Sequence, residues 1–169
     1  KMAIKELLTA MKYIHSLDYA HRDVKPDNVL IKVVPPENEG DSEQVKIILV
    51  DYNIAKKAKS YRFKTEEDQK EEPEGVRFRC NYLTHIASQN SQAPELFKSG
   101  YYSESVDIWG VGLVFYTLLT GKKIKRGNEE MIKQQINEIK NLSDSGRDLL
   151  LQMFSYDGEN RPTAVEALN

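Results

Sequence analysis

A single cysteine in 169 residues, Cys80, excludes an internal disulfide. It points to a reducing, intracellular and cytoplasmic setting. No apolar run is long enough to span a membrane: the most apolar stretch, Val106 to Leu119, is short and interrupted by Asp107. No secretory leader pattern stands at the start, and no internal repeat is visible. Neither sign of charge dominates, since 24 basic residues face 26 acidic ones for a formal net charge of −2. A nucleic-acid binder would normally carry a strongly basic face, so neither nucleic acid nor membrane is expected as a partner. What remains, 40% hydrophobic and 30% charged residues, describes a soluble globular chain of one domain with a sizeable core.

Ile4, Leu7, Leu8, Met11 and Ile14 recur at helical spacing, which predicts an amphipathic helix over 1–17. It opens at Lys1-Met2 without an entry cap, the pattern of a piece of a longer polypeptide. Two β-branched runs, 29–34 and 45–50, flank the polar stretch PPENEGDSEQ and predict an antiparallel hairpin with an inserted loop. Over 55–79, basic residues give way to Glu66, Glu67, Asp68, Glu71, Glu72 and Glu74, with Pro73 and Gly75. That is mobile-loop composition, most of all over 64–75. Ser103 is placed to cap a helix that Gly121 stops near Thr120. That helix is apolar nearly all round, from Val106 to Leu119, and is expected to be the buried centre. Shorter helices are expected at 129–140, 144–155 and 164–168, the last opened by a Thr163–Glu166 capping box.

The chemistry-bearing residues are concentrated. His21-Arg22-Asp23-Val24-Lys25-Pro26-Asp27-Asn28 lies between the first helix and the hairpin, and Asp51-Tyr52-Asn53 follows the second strand, 23 residues after Asn28. Ala93-Pro94-Glu95, Asp107-Ile108-Trp109-Gly110 and Arg161-Pro162-Thr163 follow in order. Together these resemble the C-terminal lobe of a eukaryotic-type protein kinase across essentially the whole chain. The Lys-Pro-Asp-Asn form of the loop is similar to serine/threonine kinases. The first helix and the segments from Ser143 and Arg161 look most like the calcium/calmodulin-dependent group.

The resemblance implies a mainly α fold: a helical bundle around a buried central helix, with a small β-hairpin carrying the catalytic and metal-binding loops. Residues 1–169 would form the C-terminal lobe, with 51–95 as an activation segment. Phosphoryl transfer depends on positioning and charge neutralisation. By resemblance Asp23 is the catalytic base, Lys25 contacts the transferring phosphate of ATP, and Asn28 and Asp51 are hard oxygen ligands for Mg²⁺. Ser88 stands where a hydroxyl bridges Asp23 and Lys25. Glu95 and Arg161 form a buried ion pair, and Asp107 holds the backbone of the catalytic loop. His21 and Tyr52 are packing residues. Arg22 often receives an activation-segment phosphate in this family, and Ser60, Tyr61, Thr65, Tyr82 and Thr84 are the hydroxyls on offer here. The partner implied is a protein substrate.

The sequence departs from the family pattern in several places. Asn53 stands where glycine is usual, at a point where the backbone can need positive φ. Ala87 and Ser91 replace a glycine and a tyrosine before Ala-Pro-Glu, which makes the substrate-docking loop atypical. The activation segment is long, at 45 residues. The stretch after Gly121 is short, so the substrate-side helix is expected to be reduced. No Gly-rich loop, strand lysine or glutamate helix precedes the catalytic loop. Residues 1–169 alone are therefore expected to be catalytically silent, with a partner chain or an N-terminal lobe packing on the nucleotide-side face. The alternative reading is a non-catalytic kinase-like scaffold or binding module.

Overall fold

The computed structural model of the protein describes residues 2–36, 44–57, 78–79, 92–97 and 101–169. Helix α1, Met2–Ser16, buries Ile4, Leu7, Leu8 and Met11 along one stripe, as the spacing predicts. It ends where Asp18 turns left-handed, with φ 60°. The hairpin pairs β2, Val29–Val34, with β3, Gln44–Leu49, antiparallel from Val29 opposite Leu49 to Val34 opposite Gln44. The second strand runs one residue earlier than expected. Val50 leaves the ladder and donates its N–H to Asn28 O at 3.0 Å. Val29, Ile47 and Leu49 pack with the α1 stripe. Leu30 and Ile48, on the opposite face, are 51% and 46% exposed.

Two further pairings join segments that sequence periodicity does not mark. β1, Tyr19–Ala20, pairs with β4, Lys56–Lys57. β5, Phe78–Arg79, pairs with β6, Tyr101–Tyr102. Each strand is two residues long, too short to show an alternating pattern.

Helix α2, Ser105–Thr120, is buried without a break from Val106 to Val114. It starts one residue later than a cap at Ser103 predicts, and Ser103 Oγ still accepts the Ser105 N–H at its first turn, at 3.3 Å. Gly121 stops it in the left-handed region, φ 67°, donating its N–H to Thr117 O at 2.8 Å. Its last turn corrects the expectation of all-round burial. Leu118 and Leu119 are 46% and 40% exposed, because α2 leaves the core before it ends.

On one side of α2, Ile108, Val111 and Val114 meet α1. On the other, Trp109, Leu113 and Tyr116 meet α3, Glu129–Asn137, and α4, Asp144–Met153, through Ile132, Ile136 and Leu150. Phe154 closes this second core edge-on to Trp109, with ring centroids 4.9 Å apart. Asn128 caps α3 by accepting the Met131 N–H, and Ser143 caps α4 by accepting the Gly146 N–H. Helix α3 ends earlier than expected, and Arg147 donates to the carbonyls of Ile136 in its last turn and of Ile139 just beyond it. The expected last helix is a single turn. Thr163 and Glu166 form the capping box, but the turn behind it, Glu166–Leu168, is mainly 3₁₀.

Candidate active site

Residues 21–28 run between β1 and β2, and their shape is set from the buried helix beneath. Asp107, 0% exposed, accepts the His21 N–H at 2.8 Å and the Arg22 N–H at 2.7 Å, one on each side of its carboxylate. His15 of α1 adds its Nε2 at 3.0 Å. A buried carboxylate needs such donors to offset its lost hydration. Here the donors hold Arg22 at φ 70°, a conformation that costs a non-glycine residue energy unless its surroundings impose it. Three residues along α2, Gly110 makes room for the same loop. A Cβ there would stand 2.4 Å from Val24 O and 2.6 Å from Val24 Cβ. The glycine is required by this close approach rather than by its backbone angles.

His21 is fully buried, and both ring nitrogens are engaged. Nε2 faces Val50 O at 3.1 Å, which can only accept, while Nδ1 faces the Asp23 N–H at 3.3 Å, which can only donate. The ring is therefore the neutral Nε2–H tautomer, acting as a brace between the loop and the end of the hairpin. Tyr52 stacks edge-on against it with centroids 4.6 Å apart. Desolvation, then the charge of Asp107, raises the Tyr52 phenol above its ordinary pKa. Packing roles for His21 and Tyr52 fit these contacts. The Arg22 guanidinium donates to Ile54 O at 2.6 Å and Tyr102 Oη at 2.7 Å.

At the mouth of the loop, Asp23 Oδ2 accepts from Lys25 Nζ at 2.7 Å and from Asn28 Nδ2 at 2.9 Å. The same Asn28 amide donates to Asp23 O at 2.8 Å, and a 3₁₀ turn over Pro26–Asn28 holds that geometry. Both donor bonds fix the amide, and Asn28 Oδ1 has no partner among the described residues. The bond from Val50 to Asn28 brings the base of the hairpin, and hence Asp51, beside it. Asp51 is exposed and left-handed, with φ 66°.

The fold brings Asp23, Lys25 and Asn28 into hydrogen-bond contact and sets Asp51 one residue beyond the Val50–Asn28 bond. Ser88, the candidate phosphoacceptors at 60, 61, 65, 82 and 84, and the stretch 64–75 lie outside the described residues. Asn53 differs from expectation. It sits in an ordinary turn, and the left-handed residues at this corner are Arg22 and Asp51. Asn53 therefore does not occupy a conformation that glycine alone would favour. His15, and the fit of Gly110 to Val24, were not anticipated. His15 continues the apolar stripe, four residues after Met11 and seven after Leu8, so a polar side chain at a core-facing position was the signal available. A close approach leaves no periodic signal.

Away from the mouth, Arg161 meets Glu95 in a bidentate pair, Nη1 to Oε1 at 2.5 Å and Nη2 to Oε2 at 2.7 Å. Its remaining bonds go to Ser155 O at 2.9 Å and Ser105 O at 3.0 Å. The guanidinium lies 5.1 Å from the Trp109 ring centre.

Known proteins carry the same pattern. The protein kinase domain matches residues 1–169. Serine/threonine-protein kinase RAD53 of Saccharomyces cerevisiae is 29% identical over 98% of this chain and 20% of its own length. A calcium/calmodulin-dependent protein kinase of Metarhizium anisopliae is 28% identical over 98% of this chain and 40% of its own length. The chain thus spans well under half the length of these two curated relatives. With a match that runs from its first residue to its last, the chain belongs to the protein kinase domain family.

Proposed function

We propose that residues 1–169 act as the C-terminal, catalytic lobe of a serine/threonine protein kinase, with 51–95 as its activation segment. The observation that carries this reading is the state of Asp23. One carboxylate oxygen is occupied by Lys25 and Asn28, and the other has no partner among the described residues. At 9% exposure it is held in a fixed orientation yet reachable. Oδ1 can accept the proton of a serine or threonine hydroxyl and align its oxygen for attack. Lys25, already beside the carboxylate, carries positive charge to the place where phosphoryl charge develops.

The donor set fits Mg²⁺–ATP. Asn28 Oδ1 and the exposed Asp51 carboxylate, at the base of one hairpin, are the hard oxygen donors that would hold Mg²⁺. When bound, Mg²⁺–ATP supplies the phosphoryl group and neutralises its charge. Ser88 is proposed to organise Asp23 and Lys25. The outward Leu30 and Ile48 side chains, about half exposed, support an N-terminal lobe or a partner chain packing over this face. The reading as a non-catalytic module loses the argument from Asn53, since the turn there does not need glycine.

The test is phosphate transfer from ATP to serine peptides by the full-length gene product. Asp23→Asn should lower kcat about 100-fold or more with little change in melting temperature. Equal activity of the two proteins would overturn the assignment.

A further inference from the structure

We propose that the groove beside the catalytic loop selects protein substrates with an acidic side chain near the accepting hydroxyl. The inference rests on the kinase reading for the identity of that hydroxyl. The groove has a volume of about 810 Å³. Its inner end is made by Lys25 and Asn28, the two residues bonded to Asp23 Oδ2. Its outer rim is the segment after α2, which presents Lys123, Lys125 and Arg126. A peptide whose hydroxyl sits at Asp23 therefore lays its neighbouring residues in this groove, since an extended chain advances about 3.3 Å per residue.

The charge of the groove opposes that of the molecule. Among the described residues Lys25, Lys123, Lys125 and Arg126 line it with one acid, Asp27, and Lys25 is already paired with Asp23; the formal net charge of the chain is −2. Asp27 meets Lys123 at 3.3 Å, with side chains 60% and 77% exposed, so water screens the pair and it opens readily. Lys125 has no side-chain partner among the described residues. A concave wall of one sign concentrates ligands of the other.

The cationic rim is held in place. Gln135 grips Lys125 at both main-chain groups, accepting its N–H and donating to its carbonyl, each at 2.8 Å. Tyr156 donates its hydroxyl to Gly127 O. Thr120 Oγ1 accepts the Lys122 N–H at 3.1 Å. The backbone that carries the lysines is thus fixed before a substrate arrives, which lowers the ordering cost of binding.

The experiment uses the full-length gene product and serine peptides in which glutamate or lysine replaces alanine, one position at a time, up to four residues on either side. At one or two positions glutamate should raise kcat/KM about 3- to 10-fold, mainly through KM, and lysine should lower it. The double variant K123E/K125E should abolish or invert that preference, read as the ratio of kcat/KM on the glutamate and lysine peptides. Glutamate and lysine peptides that react alike, or a double variant that affects every peptide equally, would overturn the proposal. Fluorescence anisotropy of the same labelled peptides reads binding independently of catalysis. If no Asp23-dependent transfer is seen, the kinase reading fails, and a glutamate preference in anisotropy that K123E/K125E removes still upholds the groove. Equal affinity for glutamate and lysine peptides, binding of phosphoserine peptides alone, or equally tight binding of single-stranded RNA would each refute it.

Discussion

Replacing Glu95 by Gln strands a guanidinium that has almost no access to water. The Arg161 side chain is 0% exposed, and Glu95 is 15% exposed. Of its five N–H donors, Arg161 directs two at Glu95 and one each at the Ser155 and Ser105 carbonyls. Glutamine keeps one accepting oxygen but turns an NH₂ group toward a guanidinium that can only donate. The charge then has two carbonyl dipoles and the Trp109 ring for company. Breaking a buried pair from one side in this way costs about 3–5 kcal/mol. Arg161→Met should cost less in charge, because Glu95 at 15% exposure can recruit water, though it also loses both carbonyl bonds. The double variant removes both charges, so its cost should fall clearly below the sum of the singles. With a urea m-value of about 2 kcal/mol/M for a chain of this size, Glu95→Gln should lower the midpoint by roughly 1.5–2.5 M. Trp109, the one tryptophan, packs against Arg161 and reports the transition by fluorescence. Circular dichroism checks that the whole lobe unfolds with it. Single-variant losses under about 1 kcal/mol that simply add would mean the pair behaves as an exposed one, and the reasoning would fail.

Gly110→Ala should cost about 1–3 kcal/mol and reduce phosphate transfer by the full-length gene product, because the new Cβ would stand 2.4 Å from Val24 O; wild-type stability and activity would refute the close approach. Asp107→Asn leaves one accepting oxygen for the His21 and Arg22 N–H groups and His15, and should cost at least about 2 kcal/mol by thermal or urea unfolding. Glu166 accepts the backbone N–H and then the hydroxyl of Thr163, which lowers its pKa. Its contribution to stability is present above the unfolded-state pKa and lost as pH falls through the lower folded-state value. Carboxyl NMR should show a depressed midpoint for Glu166 that returns toward normal in Thr163→Ala.

The cluster of Asp23, Lys25 and Asn28 was legible as a candidate site because residue type and order mark it beside a hairpin of β-branched runs; the roles proposed for these residues and for Asp51 rest on that pattern. The central helix was readable for the same kind of reason, since nearly every position from Val106 to Val114 is apolar and all are buried. What escaped are features made by one tertiary contact. Arg147, on the next helix, takes the Ile136 carbonyl at the end of α3 and the Ile139 carbonyl beyond it. Tyr19–Ala20 and Lys56–Lys57 pair because the loops between them converge, without any strand-like pattern of their own. The role given to residue 53 belongs to Asp51, because φ is set by the path of the chain and not by the residue that usually tolerates it.

The grip of Asp107 on the His21 and Arg22 amides has a thermal consequence. A loop stapled by its own disulfide can keep its shape while the rest of a domain loosens. Here the left-handed turn at Arg22 is imposed from a helix whose packing is the core itself. The fold has no separate fuse among the described residues: heat should not switch the loop off early, nor should the loop survive once the helix bundle yields. A plot of activity against temperature would then trace the melting of Trp109's surroundings, and an enzymologist could read the cohesion of the interior from the rate at its surface.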